Sequence, residues 1–214
     1  MGAVPLRARR RRTRRVTNWN VERVRTSATA FHGRELPAER SLWIVEFEQP
    51  ALVLGSSQAM VDAGDIEVVR RRSGGGAVYV APGRTLWVDV VVPRGDVLWD
   101  DDVGRATHWL GDAWAAAVGH GAVVHRGAMV RNEWSGLVCF AGLGPGEVTI
   151  DGRKVVGISQ RRTRAAARFQ CVAYERWEPQ SLADLLQVDA DLEPVGAGVG
   201  PLPTVEAALI AALP

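Results

Sequence analysis

The strongest chemical signal in this 214-residue chain is Arg70-Arg71-Arg72-Ser73-Gly74-Gly75-Gly76-Ala77-Val78-Tyr79. Three consecutive glycines let a backbone pass close to a ligand and aim N–H groups at it. Arginine adds a planar, permanent charge suited to phosphate or carboxylate. The stretch reads as an anion cradle or as a flexible turn preceded by surface arginines. It has no Gly-Lys-Ser/Thr and no GxGxxG spacing, so it is neither a Walker A loop nor a dinucleotide fingerprint.

A second signal is Asp151-Gly152-Arg153-Lys154-Val155-Val156-Gly157-Ile158-Ser159-Gln160-Arg161-Arg162. Asp-Gly marks a tight hairpin turn. Lys154 follows it, where an ammonium can meet a bound carboxylate, carbonyl or phosphate, or stand in solvent as an ordinary hairpin lysine. Regular alternation would put Lys154, Val156 and Ile158 on one face and Val155, Gly157 and Ser159 on the other. Gly157 inside a strand signals close approach by another group.

These two constellations, with their order and separation, resemble the catalytic domain of the biotin/lipoate protein ligase family, in particular its lipoate–protein ligase A branch. Ala51-Leu52-Val53-Leu54-Gly55-Ser56-Ser57-Gln58 is similar to that family's strand ending in GxxQ. The resemblance covers roughly residues 40–187. It implies a class II synthetase-like fold. It also implies an enzyme that activates lipoate or octanoate with ATP and Mg²⁺ as an acyl-AMP, then transfers the acyl group to a lysine of a lipoyl domain or a glycine cleavage H-type protein. On that reading Arg71, Ser73, Gly74, Gly75, Gly76, Ala77, Val78, Gly157 and Ser159 bind substrate or adenylate. Lys154 is catalytic, Val78 and Trp87 line the acyl tunnel, and no protein side chains form a metal site. The sequence departs from the pattern at Val80-Ala81, where the family has His-Asp, and at Trp87, where it has Asn.

Cys139, 15 residues before Lys154, opens a second route. One octanoyl-transferase branch of the family uses a cysteine in a similar Cys-Phe context, taking octanoate from acyl carrier protein through a thioester without ATP. A cysteine beside an ammonium carries more thiolate and attacks faster. The plain alternatives are a small buried strand residue at Cys139 and a non-catalytic acyl-binding homologue. Cys171 reads as core. The Gly142–Gly146 segment reads as a loop before the hairpin. His32, His108, His120 and His125 show no metal spacing, and Asp100, Asp101 and Asp102 read as helix-end charge.

The elements that must position these groups follow from periodicity and from glycine and proline punctuation. Strands are predicted at 41–48, 51–55, 66–70, 77–80, 85–92, 122–125, 137–140, 147–150, 154–162 and 167–176. The pair 77–80 and 85–92 reads as hairpin-like. Helices are predicted at 101–118, 181–186 and 204–213, with 196–200 as a link. The fold class is therefore α+β, a mostly antiparallel mixed sheet flanked by helices.

Composition sets the outer bounds. The chain has 26 Lys plus Arg, all but one of them Arg, against 24 Asp plus Glu. Residues 1–15 hold seven Arg and no acid, so residues 1–20 are expected to be a disordered Arg-rich leader and 21–214 a single catalytic domain. Nucleic acid is not an expected partner, and the apolar runs are too short to span a membrane. Two cysteines and no secretory pattern point to a reducing, cytoplasmic setting.

Overall fold

The computed structural model describes residues 19–214. The expected leader falls outside the described residues as far as position 18. Trp19 and Asn20 belong to the fold, so its boundary lies earlier than the sequence suggested. Trp19 is buried and donates its Nε1–H to Pro214 O at 3.0 Å.

The main sheet contains β1 (Asn20–Thr26), β2 (Ser41–Phe47), β6 (Thr85–Pro93), β7 (Ala122–Val124), β8 (Val148–Ile150), β9 (Arg153–Arg162) and β10 (Ala166–Tyr174). Their order is β1-β2-β6-β10-β9-β8-β7. Among the described residues of this sheet, only β1 and β2 pair in parallel. A smaller sheet joins β3 (Ala51–Leu54) to β4 (Glu67–Arg70) in parallel and to β5 (Val78–Val80) antiparallel. The helices are α1 (Ala28–Gly33), α2 (His108–Val118), α3 (Gln180–Leu186) and α4 (Leu202–Ala212). None is long and apolar enough to cross a membrane.

Central strands β6 and β10 are buried on both faces and feed two cores. Trp87, Val91, Val172 and Tyr174 face the small sheet, with Phe31 of α1 and Leu182 of α3. Val88, Val90, Phe169 and Cys171 face α2 and α4 through Leu110, Trp114, Val205 and Leu209. Cys171 is core, as its setting suggested, and burial pushes its thiol pKa up.

Several local expectations change. Residues 77–80 and 85–92 are strands but do not pair, because Ala81-Pro82-Gly83 carries the chain from the small sheet to the large one. The expected helix at 101–118 begins only at His108. Asp102 Oδ1 instead accepts from the backbone N–H groups of Gly104 and Arg105, closing a turn ahead of it. Residues 139–141 form a 3-10 turn, not a strand. β1 and α1 went unrecognised. β1 is largely polar, and α1 is six residues long, marked only by its Ser27 cap, whose Oγ accepts from Ala30 N.

One buried network is polar. Asp89 is fully buried and pairs with Arg168, whose guanidinium lies 5.1 Å from the Phe31 ring centre. Gln170 bridges toward His32, with Nε2 3.4 Å from Nδ1. Burial, aided by the charges of Arg168 and Arg71, lowers the His32 pKa from 6.5 to about 3. The folded state therefore holds neutral His32, while the unfolded chain takes up a proton below pH 6.5. Stability that is full above pH 6.5 should fall as acid is added, by up to about 1.4 kcal/mol per pH unit, until about pH 3. Denaturant titrations across this window measure the slope, and His32→Gln should flatten it. An unchanged slope in that variant would assign the acid sensitivity elsewhere.

Candidate active site

Lys154 owes its direction to an irregularity in β9. Val148 pairs with Val156 but Thr149 pairs with Lys154, leaving Val155 without an opposite residue on β8. The extra residue is a β-bulge, which reverses the alternation on either side of it. Val155 and Val156 both enter the core under α2. Lys154 therefore shares a face with Gly157 and Ser159, and not with Val156 and Ile158 as regular alternation predicted. A Cβ on Gly157 would lie 3.4 Å from Lys154 Cε and 3.1 Å from Cys139 Sγ. That is the close approach signalled by a glycine in this strand.

The Lys154 ammonium is buried, at 3% exposure for the residue. It donates to Cys139 O at 2.8 Å and Gly142 O at 3.0 Å, and pairs with Glu147 Oε1 at 2.6 Å. Its Nζ lies 3.9 Å from Cys139 Sγ. Glu147 is itself buried and accepts from Gly144 N at 2.6 Å and Ile158 N at 2.9 Å. These bonds compensate a charge pair that would otherwise cost several kcal/mol to bury. The segment Gly142–Gly146 is a loop, as expected, and its backbone cradles the lysine through Gly142 and the carboxylate through Gly144.

The triglycine loop closes the opposite wall. Gly75 has φ +98°. A Cβ on Gly76 would meet Val138 C at 2.4 Å, so only glycine lets the loop lie against the 138–139 turn. Ala77 N donates to Leu137 O and Cys139 N donates to Ala77 O, which ties Cys139 to the loop. Gln58, the last residue of the GxxQ stretch, accepts from Gly55 N at 2.8 Å and donates to Leu137 O at 3.0 Å.

Arg71 lines the cavity and also binds the loop itself. It is 2% exposed, and its guanidinium donates to Gly74 O at 2.8 Å, Gly76 O at 2.9 Å, Val53 O at 3.3 Å and Ser73 Oγ at 3.1 Å. Burial lowers its pKa from the usual arginine value. Arg71 thus pulls the loop's carbonyls inward. Among the described residues, the N–H groups of Gly74, Gly75 and Gly76 make no hydrogen bond, so they are available to an anion. Ser73 Oγ donates to Gln170 Oε1 at 2.7 Å and lies 2.9 Å from Ser159 Oγ, fixing the loop to β9 and β10.

One cavity of about 820 Å³ gathers Arg71, Gly74, Gly75, Gly76, Cys139, Lys154 and Ser159. Ala77, Val78, Ser73 and Gly157 stand behind its wall and do not line it. Val78 and Trp87 are core residues, each 2% exposed, and the Trp87 indole donates to Asp89 Oδ1. The expectation that they form an acyl tunnel is therefore corrected. Val103, Met129, Pro145 and Ile158 supply the apolar wall instead. Glu147 and Gln160 also line the cavity and were not predicted as site residues. Glu147 had a usable signal, being the only charged residue between Glu133 and Asp151. Among the described residues no three His, Cys, Asp or Glu side chains group as metal ligands.

Comparison with known proteins bears on the family and the fold. A curated relative, lipoate–protein ligase 1 of Staphylococcus aureus, is 41% identical over 54 residues, which is 22% of this chain and 16% of that protein. A lipoate–protein ligase A structure bound with ATP superposes with a TM-score of 0.67 at 18% identity, covering 90% of this chain and 82% of that one. A T. acidophilum structure with bound lipoic acid gives the same TM-score at 16% identity and the same coverage. The α+β architecture, a large mixed sheet flanked by helices, is the one these structures share. The family described as the lipoyl protein ligase A/B catalytic domain matches residues 16–202, and the chain belongs to it.

Proposed function

We propose that the chain transfers a lipoyl or octanoyl group to a lysine of a lipoyl domain. The observation that carries this reading is the convergence of the Lys154 ammonium with the unspent N–H groups of the triglycine loop in one cavity. A carboxylic acid fits with its oxygens between these two sources of positive potential. In the ligase route, ATP and Mg²⁺ supply the activating phosphoryl chemistry. The residue types lining the cavity suit that co-substrate: the Gly74–Gly76 backbone and Arg131 would hold its phosphates. Lys154 would release one of its two carbonyl acceptors and turn toward charge developing on the acyl oxygen. A lipoyl domain is the acceptor favoured, since a T. acidophilum ligase was solved in a study of that enzyme and its E2 lipoyl domain. A glycine cleavage H-type protein would present the same kind of lysine.

Cys139 favours a second route within the same reading. Its sulfur lines the cavity and lies 3.9 Å from Lys154 Nζ. The thiolate would attack an octanoyl thioester such as that of acyl carrier protein. The acyl carbon would form a new thioester with Sγ, and the donor thiol would leave with a proton. The acceptor lysine would then displace Sγ.

Two measurements separate the routes. Wild-type protein is incubated with lipoate or octanoate, ATP and a lipoyl domain, or with octanoyl-carrier protein and the same domain. Acyl-AMP formation and modification that survive Cys139→Ser identify the ligase route. A mass shift of octanoyl on the wild type, with transfer lowered by about 10³-fold or more in Cys139→Ser, identifies the thioester route. No modification of a lipoyl domain under either condition would overturn the reading as a whole.

A further inference from the structure

Gln160 closes the GRKVVGISQ stretch and has no part in the chemistry described above. The residue lines the cavity, and neither Nε2 nor Oε1 of its side chain, both buried, has a hydrogen-bond partner among the described residues. A buried primary amide with both ends unpaired is costly unless something pairs with it.

The backbone beside it is open as well. β8 pairs with β9 only from Arg153 to Val156. Beyond that point the edge facing away from β10 has no strand partner among the described residues. In an antiparallel strand the N–H and C=O of one residue point to the same side, and the sides alternate along the chain. Ile158 N–H points away from β10, because it bonds to Glu147 Oε1. Two residues on, Gln160 also presents its N–H and C=O away from β10. The open stretch is bounded by Glu147 at one end and at the other by Arg162, whose guanidinium holds the carbonyls of Asp100 and Asp101.

We propose that Gln160, with the open edge of β9 around it, forms a subsite that reads a flat group carrying both a hydrogen-bond donor and an acceptor. Two ligand parts share this chemistry: the secondary amides of the pantetheine arm of an acyl thioester, and the edge of an adenine ring. An extended amide adds to an exposed strand edge as another strand would. Adenine offers an amino donor beside a ring-nitrogen acceptor, the pattern that Gln reads in pairs. Gln160 lies six positions along β9 from Lys154, so the subsite lies along the strand from the reacting carbonyl, by at most about 20 Å in extended backbone. Gln160 therefore sets affinity and specificity and takes no part in bond making. This inference rests on the proposed acyl-transfer function, because it assigns the non-acyl part of that substrate.

Titration calorimetry of full-length wild type and Gln160→Leu with three probes tests the subsite. The probes are octanoate, octanoyl-pantetheine and ATP. Octanoate should bind both proteins within about twofold, showing that the variant keeps an intact acyl site, while one of the other two loses about tenfold or more in Gln160→Leu. Loss with octanoyl-pantetheine identifies the thioester arm, and loss with ATP identifies the nucleotide. The subsite is overturned if both probes bind the variant as they bind wild type, if octanoate weakens equally, or if wild type binds neither probe. A Gln160-dependent difference in a protein that never modifies a lipoyl domain would instead overturn the proposed function and leave the subsite standing.

Discussion

Lys154→Ala is expected to lower acyl transfer by about 10²- to 10³-fold, the usual cost of removing one preorganised donor at a developing oxyanion. The loss should fall on kcat, because the ammonium matters most where charge develops. Lys154→Arg should fail almost as badly. The lysine head fits between Cys139 O, Gly142 O and Glu147 Oε1 as a compact group of three donors, whereas guanidinium is a wide planar fork. Folding must be checked separately, since alanine leaves Glu147 buried without its cation. Breaking such a pair costs about 3–5 kcal/mol. Glu147 keeps two backbone N–H bonds, so the lower end of that range is expected. The double variant Lys154→Met/Glu147→Gln removes both charges and should recover much of the melting temperature without recovering transfer. Transfer at the wild-type rate by a folded Lys154→Ala protein would remove the lysine from the mechanism.

The next largest effect is expected at Gly55, away from any reacting group. A Cβ there would lie 1.8 Å from Gly75 O, closer than any contact can be. The obstacle is backbone, so the triglycine loop itself must shift. Gly55→Ala should cost about 1–3 kcal/mol in stability by overpacking. It should also weaken ligand binding more than that loss of folding explains, because Arg71 and the loop N–H groups move with Gly75. Gly74→Ala is the matched control. Nothing lies within 4 Å of its Cβ position, so folding should be nearly unchanged. Chemical denaturation of both variants, with octanoate titrations at temperatures where each is folded, checks the contrast. Equal stability of Gly55→Ala and wild type would show that the loop is held less firmly than Arg71 suggests.

What was legible in the sequence was local. Period-two alternation and Gly or Pro punctuation located most strands, including the Asp151-Gly152 hairpin, because each depends on neighbours a few residues away. The motif residues that meet in the cavity were legible for the same reason. The triglycine stretch, the single lysine and Cys139 stand out by type and spacing alone, and the first two carried the family resemblance.

Everything that depended on distant partners was decided by the tertiary structure. β5 pairs with β3 and not with the next strand, since Val78 and Val80 pack into the core beneath the small sheet. Arg71 stood out as a charge, but only the folded structure brings it beside four oxygen acceptors, where it clamps the loop. Trp87 could not be told from a cavity residue until Asp89 and the Phe47 ring were seen to enclose it. The direction of Lys154 is the clearest case. Its identity was plain in the chain, but one unpaired residue, Val155, turns it toward Cys139 and Glu147. A bulge arises from register between two strands, and no single strand's pattern contains it.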